Sequence, residues 1–113
     1  VGHTNGKGAT LYVGGSLGLG YSTPTSSGTA GGATVYHVDT TSGDVTMTLP
    51  AKSSIGGRTY VFKKIVDAYD MIIAANGSET IDGSSTVTLG DQWDCITIHC
   101  GNAGWYVVNK YEP

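Results

Sequence analysis

Apolar and polar residues alternate along most of the chain after residue 33, and this period of two positions is typical of β-strands. The segments TVYHVDT (34–40) and DVTMTLP (44–50) both show the alternation. Thr41-Ser42-Gly43 between them is a short turn that contains glycine, so the pattern predicts an antiparallel hairpin over 34–50. Pro50 ends the second strand because proline has no backbone N–H to donate to a neighbouring strand.

Five more segments carry strand patterns of similar length. They are GRTYVFKKI (57–65), DMIIAA (70–75), STVTLG (85–90), WDCITIHC (93–100) and GWYVVNK (104–110). No window of about 11 residues keeps a helical period without a glycine interruption. Short strands at spacings of about ten residues are typical of sandwiches and barrels. The sequence therefore predicts an all-β fold, an antiparallel β-sandwich of jelly-roll-like form.

Residues 1–33 have a different pattern, dominated by glycine, serine and threonine, with VGGSLGLGYSTPTSSGTAGG at its centre. A segment with so few large apolar residues buries little surface by itself. One interpretation is a flexible linker, and the other is a thin shaft or collar that becomes ordered by packing against copies of itself. Leu11-Tyr12-Val13 and Leu17-Gly18-Leu19-Gly20 favour the shaft, because a linker needs no such side chains. We therefore divide the chain into a shaft or collar segment, 1–33, and a tip domain, 34–113.

Apolar residues occupy both faces of the last predicted strand. Trp105 and Val107 share one face, and Tyr106 and Val108 share the other. A single sandwich buries only one face of each sheet, so the second face requires another surface to cover it. Closed cyclic symmetry between copies supplies such a surface. The pattern predicts a homo-oligomer, and nothing in it distinguishes three copies from two.

Charged residues are scarce and the net charge is slightly negative. Asp, Glu, Lys and Arg make up 13% of the 113 residues, and 18 residues are glycine, whereas charged residues are about 25% of ordinary soluble domains. A formal net charge of -3 gives no basic surface for nucleic acid. No apolar run approaches the roughly 18–20 residues of a membrane span. This composition indicates a structural module, and the start at Val1 indicates a segment of a longer protein.

The stretch ANGSETIDG (75–83) carries two carboxylates, Glu79 and Asp82, that invite comparison with an acidic site. Asn-Gly and Asp-Gly are strong turn signals because both residues of the pair tolerate positive φ. We therefore interpret Asn76-Gly77 and Asp82-Gly83 as turns at the two ends of a short strand. On that strand the two carboxylates point apart, which disfavours an acid–base pair or a shared metal ion. Glu79 remains free to accept a hydrogen bond from a backbone amide.

Other combinations of residues that carry chemistry are weak. His3, His37 and His99 are dispersed, and a metal site would have to be built between copies on a threefold axis, with His3 as its first candidate. Cys95 and Cys100 lie on opposite faces of one predicted strand, about 16 Å apart. A disulfide requires Cα atoms within about 7 Å, so we interpret both as free thiols of a protein that folds in a reducing cytoplasm. We predict no catalytic residue, no metal and no cofactor.

Longer stretches of the chain resemble known sequences. TLYVGGSLGLGYSTPT (10–25) is similar to a short motif of bacteriophage tail fibres, in which an aliphatic strand precedes Gly-aliphatic-Gly and Thr-Pro. VYHVDTTSGDVTMTLPAKSSIGGRTYVFKK (35–64) and ANGSETIDGSSTVTLGDQWDCITIHCGNAGWYVV (75–108) together resemble a module of phage tail-fibre, tailspike and head-fibre proteins. The resemblance implies an intertwined homotrimer, mostly β, at the distal end of a phage fibre or needle. It implies a place in the virion after folding in the host cytoplasm, with the rest of the fibre or tail as a partner.

Acidic and aromatic residues occur together in two predicted loops. Tyr69 and Asp70 lie in one loop, and Trp93 lies in or beside another. On a fibre tip this combination is typical of a sugar-binding surface, because a ring stacks on the apolar face of a sugar while a carboxylate accepts hydrogen bonds from its hydroxyl groups. We predict Tyr69, Asp70 and Trp93 as binding residues. The alternative for Trp93 is a core or subunit-interface position, and for Trp105 we expect a core or subunit-interface position.

Three hypotheses for function follow. The first is a phage fibre or needle-tip domain that binds a bacterial cell-surface glycan or protein. The second is a capsid-decoration or fibre-assembly module without a ligand. The third is a carbohydrate-active enzyme, and the lack of a paired acid site argues against it. We expect a homotrimeric virion protein that attaches to the host and is not an enzyme.

Overall fold

Apart from a short 3-10 turn at Lys52–Ser54, the regular structure is β-strand throughout the described part of the chain. The computed structural model describes residues 11–54 and 56–113. The strands are β1 (Tyr21–Ser22), β2 (Gly28–Thr29), β3 (Val35–Val38), β4 (Val45–Thr48), β5 (Thr59–Lys64), β6 (Met71–Ala74), β7 (Thr86–Leu89), β8 (Cys95–Cys100) and β9 (Trp105–Tyr111). Each of the seven longer strand segments predicted after residue 33 overlaps one of β3 to β9, so the all-β prediction is confirmed. None of the described residues belongs to a helix of the length and apolar character that a membrane span requires.

The strands form two mixed sheets. Sheet A has the order β1-β3-β5-β8-β9, and sheet B has the order β2-β4-β6-β7. From β1 to β6 the chain crosses to the other sheet at every step, so β1, β3 and β5 are parallel neighbours, as are β2, β4 and β6. The last three strands add antiparallel pairs: β7 on β6, β8 on β5 and β9 on β8. From β1 to β6 the chain thus winds between two sheets, an arrangement that we call the two-sheet coil. The antiparallel strands β7 to β9 complete the fold.

The hairpin predicted over 34–50 is wrong. β3 and β4 lie in different sheets, and the loop between them is an arch that carries the chain from sheet A to sheet B. The Thr41 amide and hydroxyl both donate to the Asp39 carboxylate, which turns the chain directly after β3. Val38 and Val45 are both buried, so the two strands face one core from opposite sides. The antiparallel prediction is corrected to mixed sheets, and the parallel pairs depart from a jelly roll, which is antiparallel.

A hairpin joins β8 to β9. The Gly101 amide donates to the Gly104 carbonyl at 2.9 Å and closes the turn. Farther along the pair, a register shift between Thr97 and Ile98 leaves Val108 as an extra residue on β9. This bulge interrupts the simple alternation of faces that the sequence predicts for the strand.

The core lies between the inner faces of the two sheets. Its largest side chains, Trp105, Tyr60 and Phe62, are almost completely buried. The Tyr60 ring centroid lies 5.7 Å from the Trp105 ring and 6.0 Å from the Phe62 ring. Sheet B contributes smaller side chains, among them Met71 and Ile73. Of the two positions expected for Trp105, core or subunit interface, the structure shows the core.

Residues 11–20, which we call the arm, precede the first strand and form no regular structure. All ten residues are exposed. Five of them are large and apolar: Leu11, Tyr12, Val13, Leu17 and Leu19. β1 and β2 follow the arm and lie before the predicted boundary at residue 33, yet they pair with β3 and β4, which lie after it. The division of the chain at residue 33 stays a prediction. His3, the candidate for a shared metal site, lies outside the described residues.

Candidate surface-binding site

Three loops meet at one edge of the two sheets, which we call the arch edge. They join β3 to β4 (39–44), β5 to β6 (65–70) and β7 to β8 (90–94), and each crosses between the sheets. Backbone hydrogen bonds tie the loops to neighbouring strands. The Ile65 amide donates to the Val38 carbonyl at 3.1 Å, and the Trp93 amide donates to the Lys64 carbonyl at 2.8 Å. All three predicted binding residues lie in these loops.

The arch edge holds most of the acidic residues of the chain. Six of the nine lie there: Asp39, Asp44, Asp67, Asp70, Asp91 and Asp94. Carboxylates of this group cap loop amides: Asp44 Oδ1 accepts from the Asp70 amide at 2.9 Å, and Asp94 Oδ2 accepts from the Asp91 amide at 3.0 Å. Among the described residues, no group of three His, Cys, Asp or Glu side chains is placed to hold a metal ion. The Asp44 and Asp94 carboxylates therefore stabilise the conformation of the loops.

Lys64 holds the β5–β6 loop from within and is fully buried. Its Nζ donates to the Val66 carbonyl and, at 3.3 Å, to the Ala68 carbonyl. The Thr40 hydroxyl donates to the same Ala68 carbonyl and so links this loop to the arch before it. A buried ammonium group is costly unless it is hydrogen-bonded, so these bonds favour one shape of the loop. The sequence does not indicate that Lys64 is buried and holds the loop, because two lysines at the end of a strand are typical of a solvated surface.

Tyr69 stands at the outer end of the β5–β6 loop. It has a φ of 58° and is 60% exposed. Positive φ is strained for a residue with a large side chain, and the bonds made by Lys64 help to maintain it. Asp70 follows at the start of sheet B and is half-buried. Its Oδ1 lies only 3.2 Å from the place that a Cβ on Gly90 would occupy, so the absence of a side chain there gives the carboxylate its room.

Trp93 lies in the β7–β8 loop, with a φ of 75° and an exposure of 49%. Lys63 Nζ donates to the Trp93 carbonyl at 2.8 Å and lies 5.9 Å from the centroid of its ring. Gln92 Nε2 donates to the Ile65 carbonyl at 3.1 Å and ties the loop to the end of β5. The core alternative for Trp93 is wrong, because the strand begins at Cys95 and leaves the indole in the turn. A subunit-interface role for Trp93 stays a prediction.

Lys63 also approaches Tyr111, which is exposed at the end of β9. Its Nζ lies 5.4 Å from the centroid of the Tyr111 ring. The register explains the approach, because Lys63 pairs with Cys95 and Cys95 pairs with Tyr111 across three neighbouring strands. Cation–π contacts at exposed sites are favourable by about 0.5–1 kcal/mol. Neither Lys63 nor Tyr111 can be identified from the sequence, since only the pairing of β5, β8 and β9 brings them to Trp93.

The arch edge divides the predicted binding residues between its two sides. Tyr69 and Asp70 are adjacent, and Asp70 borders sheet B. The Trp93 ring lies near Lys63, whose strand belongs to sheet A. Packed sheets are about 10 Å apart, so the two groups are separated by the thickness of the molecule at this edge. The structure thus adds Lys63 and Tyr111 to the surroundings of Trp93 and keeps Asp70 on the other side.

The stretch ANGSETIDG lies at the edge opposite the arches. Asp82, with a φ of 49°, and Gly83 form a two-residue turn. Ile81 and Ser84 close this turn, since the amide of each donates to the carbonyl of the other, at 2.7 and 2.9 Å. Asp82 Oδ1 accepts from the Val107 amide at 3.1 Å, and Glu79 Oε1 accepts from the Lys52 amide at 3.0 Å. Each carboxylate serves its own amide, so the interpretation as turns and the amide bond expected of Glu79 are confirmed. The short strand predicted between the turns is wrong, because only two isolated bridges, both at Ile81, form there.

Cys95 and Cys100 begin and end β8 as free thiols. Burial alternates along the strand, so Cys95 is half-buried on the outer face and Cys100 is buried in the core, as the odd spacing predicts. Burial raises the pKa of the Cys100 thiol, and the nearby negative charge of Glu79 raises it further. The thiol is therefore protonated at neutral pH and is a poor nucleophile.

No protein-family model matches the chain, and no curated protein matches it either. The likeness to phage fibre modules stays a prediction carried by the motifs at 10–25, 35–64 and 75–108. A function for this chain has to be argued from those motifs, the arm and the arch edge.

Proposed function

We propose that this chain is the distal domain of a phage fibre or tail needle, assembled as an intertwined homotrimer, and that it contacts the surface of the bacterial host. The observation that carries the proposal is the arm, a ten-residue segment whose large apolar side chains are left exposed by the chain's own sheets. The fibre-like motifs at 10–25 and 35–64 support the same assignment. The protein would then belong to the virion, with the rest of the fibre or tail as a partner.

The exposed arm favours assembly of several copies. Leu11 is 54% exposed, Tyr12 89% and Leu17 61%. Burial of apolar surface is favourable by roughly 25 cal/mol per Å², and a contiguous apolar surface marks an interaction site. Arms that wind around one another, or lie on neighbouring copies, would bury these side chains without any change within the two sheets. Tyr106 and Val108 of β9 offer a second exposed apolar surface for the same purpose.

The arch edge suits the part of a fibre tip that touches a receptor. Recognition residues are often found in loops that a rigid scaffold holds in place. Tyr69 and Trp93 project from such loops in strained backbone conformations, and Lys64 and Lys63 hold the loops. Groups that are held in one shape before binding lose less conformational freedom on binding. We assign receptor contact to Tyr69, Asp70 and Trp93, with a bacterial cell-surface glycan or protein as the partner.

Catalysis has no part in the proposal. Asp39, Asp44, Glu79 and Asp82 each accept a hydrogen bond from a backbone amide, so these acids act as structural groups. We assign no catalytic residue and no cofactor. Free thiols suit a protein that folds in the reducing cytoplasm of the host before it joins the virion.

A structural module without a ligand is the second candidate. The exposure of Tyr106 and Val108 favours it, because an apolar strand surface can also attach to other virion proteins. A capsid-decoration or fibre-assembly module of this kind would share the oligomeric state of the first candidate and would lack affinity for the host.

Binding to bacterial cells separates the two candidates. The chain, carrying a fluorescent protein at its N-terminus, is applied to a panel of bacterial strains, and the bound fraction is measured by flow cytometry. The proposal predicts saturable binding to at least one strain. Trp93→Ala should weaken that binding by about tenfold or more, because aromatic residues dominate recognition energies.

The oligomer mass and circular dichroism of Trp93→Ala should equal those of the unchanged protein. Thr86→Ala is the matched control, since Thr86 is exposed at the end of β7 that lies away from the arch edge. An intact trimer that binds none of the strains would favour the structural module over the adhesin.

A further inference from the structure

Aromatic and basic side chains form a continuous strip across the outer face of sheet A, close to the arch edge. The strip consists of Tyr21, His37, Lys63, Trp93 and Tyr111. The ring centroids of Tyr21 and His37 are 5.4 Å apart, and His37 pairs with Lys63 across β3 and β5. Lys63 Nζ lies within 6 Å of the ring centroids of both Trp93 and Tyr111. The strip therefore reaches from one edge strand of the sheet to the other.

The strip has the dimensions of an extended ligand. It crosses five neighbouring strands, β1, β3, β5, β8 and β9. Neighbouring strands are about 4.8 Å apart, so the strip is about 19 Å long. Its three large rings are exposed: Tyr21, Trp93 and Tyr111. A surface of this length can accommodate several linked sugar rings side by side with its aromatic groups.

Lys63 gives the strip a formal positive charge, although the chain as a whole has a formal net charge of -3. The five strands of sheet A contain no Asp or Glu. Lys63 and His37 lie at outward positions within the strip, and His99 lies outward farther along β8. Glu112, which follows the strip, is already paired with Lys110 at 3.6 Å. The strip therefore complements an anionic ligand.

Lys63 is held in place and still has donors to offer. One of its N–H bonds points to the Trp93 carbonyl at 2.8 Å. An ammonium group has three donors, so two remain for a ligand. A ligand that places an apolar ring face on Trp93 or Tyr111 and an anionic group on Lys63 would satisfy both features at once. Sugars that carry a carboxylate have this combination.

We propose that the strip binds an acidic polysaccharide, with sugar faces stacked on Trp93 and Tyr111 and a sugar carboxylate paired with Lys63. This assignment rests on the proposed function, because it names the class of receptor that the host surface would present. It also moves the centre of the binding site from the outer end of the arch edge to the adjoining face of sheet A.

Calorimetric titration with three acidic polysaccharides tests the assignment: polygalacturonate, alginate and polysialic acid. Fully methyl-esterified polygalacturonate is the neutral comparator, since it has the same backbone and no carboxylate charge. We expect at least one of the acidic polymers to bind. If polygalacturonate binds, its methyl ester should bind about tenfold more weakly, because hydrogen bonds to a charged group are stronger than those to a neutral one. For each polymer that binds, raising the salt concentration should weaken the affinity.

Variants separate the charge from the rings. Lys63→Met should remove most of the affinity for the acidic polymer, and Lys63→Arg should restore it in part. Trp93→Ala should weaken binding of every polymer that the chain recognises. Lys52→Met is the matched control, because Lys52 lies in the 3-10 turn after β4, at the edge opposite the arches, and the affinity of this variant should equal that of the unchanged chain.

The outcomes distinguish this inference from the proposed function. A chain that adheres to bacterial cells but binds none of the three acidic polymers overturns the acidic-glycan assignment and leaves the adhesin proposal intact. Equal affinity for polygalacturonate and its ester, or an unchanged affinity of Lys63→Met, also overturns it. A chain that binds neither cells nor polymers overturns both.

Discussion

Lys63 and Lys64 are neighbours in the sequence with opposite roles in the structure. Because strand residues alternate between faces, Lys64 points inward, where it donates to the Val66 and Ala68 carbonyls. Lys63 points outward and approaches the rings of Trp93 and Tyr111. One lysine therefore fixes the loop that carries Tyr69, and the other holds the loop that carries Trp93.

The inward lysine should matter most for stability. Lys64→Met should lower the free energy of unfolding by about 2–3 kcal/mol, because buried carbonyl groups lose their donor. Lys63→Met is the matched control and should lower it by less than about 1 kcal/mol, since its bonds are at the surface. Urea denaturation followed by tryptophan fluorescence measures both. Equal losses in the two variants would contradict the role assigned to Lys64.

Asp39 provides a pH-dependent test of the first arch. Hydrogen bonds from the Thr41 hydroxyl and amide lower the pKa of Asp39 below its ordinary value. A lowered pKa in the folded state stabilises the fold above the unfolded value, and this contribution is lost as the pH falls through the folded pKa. An NMR titration should therefore show the Asp39 carboxyl titrating below the ordinary range of aspartate. Thr41→Val removes the hydroxyl and should raise the midpoint; an unchanged midpoint would contradict the contact.

At the scale of elements, the sequence predicts where strands lie and fails to predict which strands pair. Alternation places Val38 and Val45 on buried faces whether β3 and β4 are hairpin neighbours or face each other across the core. A hairpin and an arch between sheets give the same alternation of apolar and polar residues, so the sequence could not distinguish them. The β8–β9 hairpin was predictable because its glycine-bounded turn leads to a strand that pairs back directly. Parallel pairs join strands that are distant in sequence and leave no local signal.

Strand pairing can be tested by nuclear Overhauser effects in the isotope-labelled protein. The account predicts backbone contacts between His37 and Lys63 and between Thr46 and Ile72, as parallel pairing requires. A hairpin would instead give contacts between β3 and β4. Observation of the β3–β4 contacts in place of the parallel ones would contradict the two-sheet coil.

The alternation along β8 makes a separate prediction about its thiols. Cys95 is half-buried on the outer face, and Cys100 is buried with a raised pKa. Cys100→Ser should therefore leave a thiol that reacts with Ellman's reagent in the folded protein. Cys95→Ser should leave one that reacts only after denaturant is added, because the thiolate is disfavoured and shielded. Similar rates for both variants without denaturant would place the two residues on the same face.

At the scale of the whole molecule, our proposals assign assembly to the arm and recognition to the strip. The apolar residues of the arm can be read from the sequence. The structure shows that the single chain leaves them exposed, which favours their burial between copies. Of the residues proposed for the binding site, Tyr69, Asp70 and Trp93 could be predicted from residue type and loop position. Lys63 and Tyr111 could not, because they reach Trp93 only through the register of three strands. Sequence patterns report local composition, and the site depends on contacts between distant strands.

Assembly through the arm can be tested by changing its apolar residues together. The quadruple variant Leu11→Ser, Val13→Ser, Leu17→Ser and Leu19→Ser should dissociate the oligomer, because it removes apolar surface that copies would bury. Its circular dichroism should be unchanged, since these side chains are exposed on the single chain. A matched control changes Ser16, Ser22 and Ser26, which are all exposed, to alanine, and its mass should equal that of the unchanged protein.

The measurement that tests the central claim most directly is the molar mass of the unchanged chain in solution, by light scattering after size exclusion. The account predicts a mass three times that of the 11.6 kDa chain. A mass equal to one chain would contradict it, because the arm would then remain exposed without a partner and the assembled fibre tip would lose its basis. A mass of two chains would contradict the trimer as well.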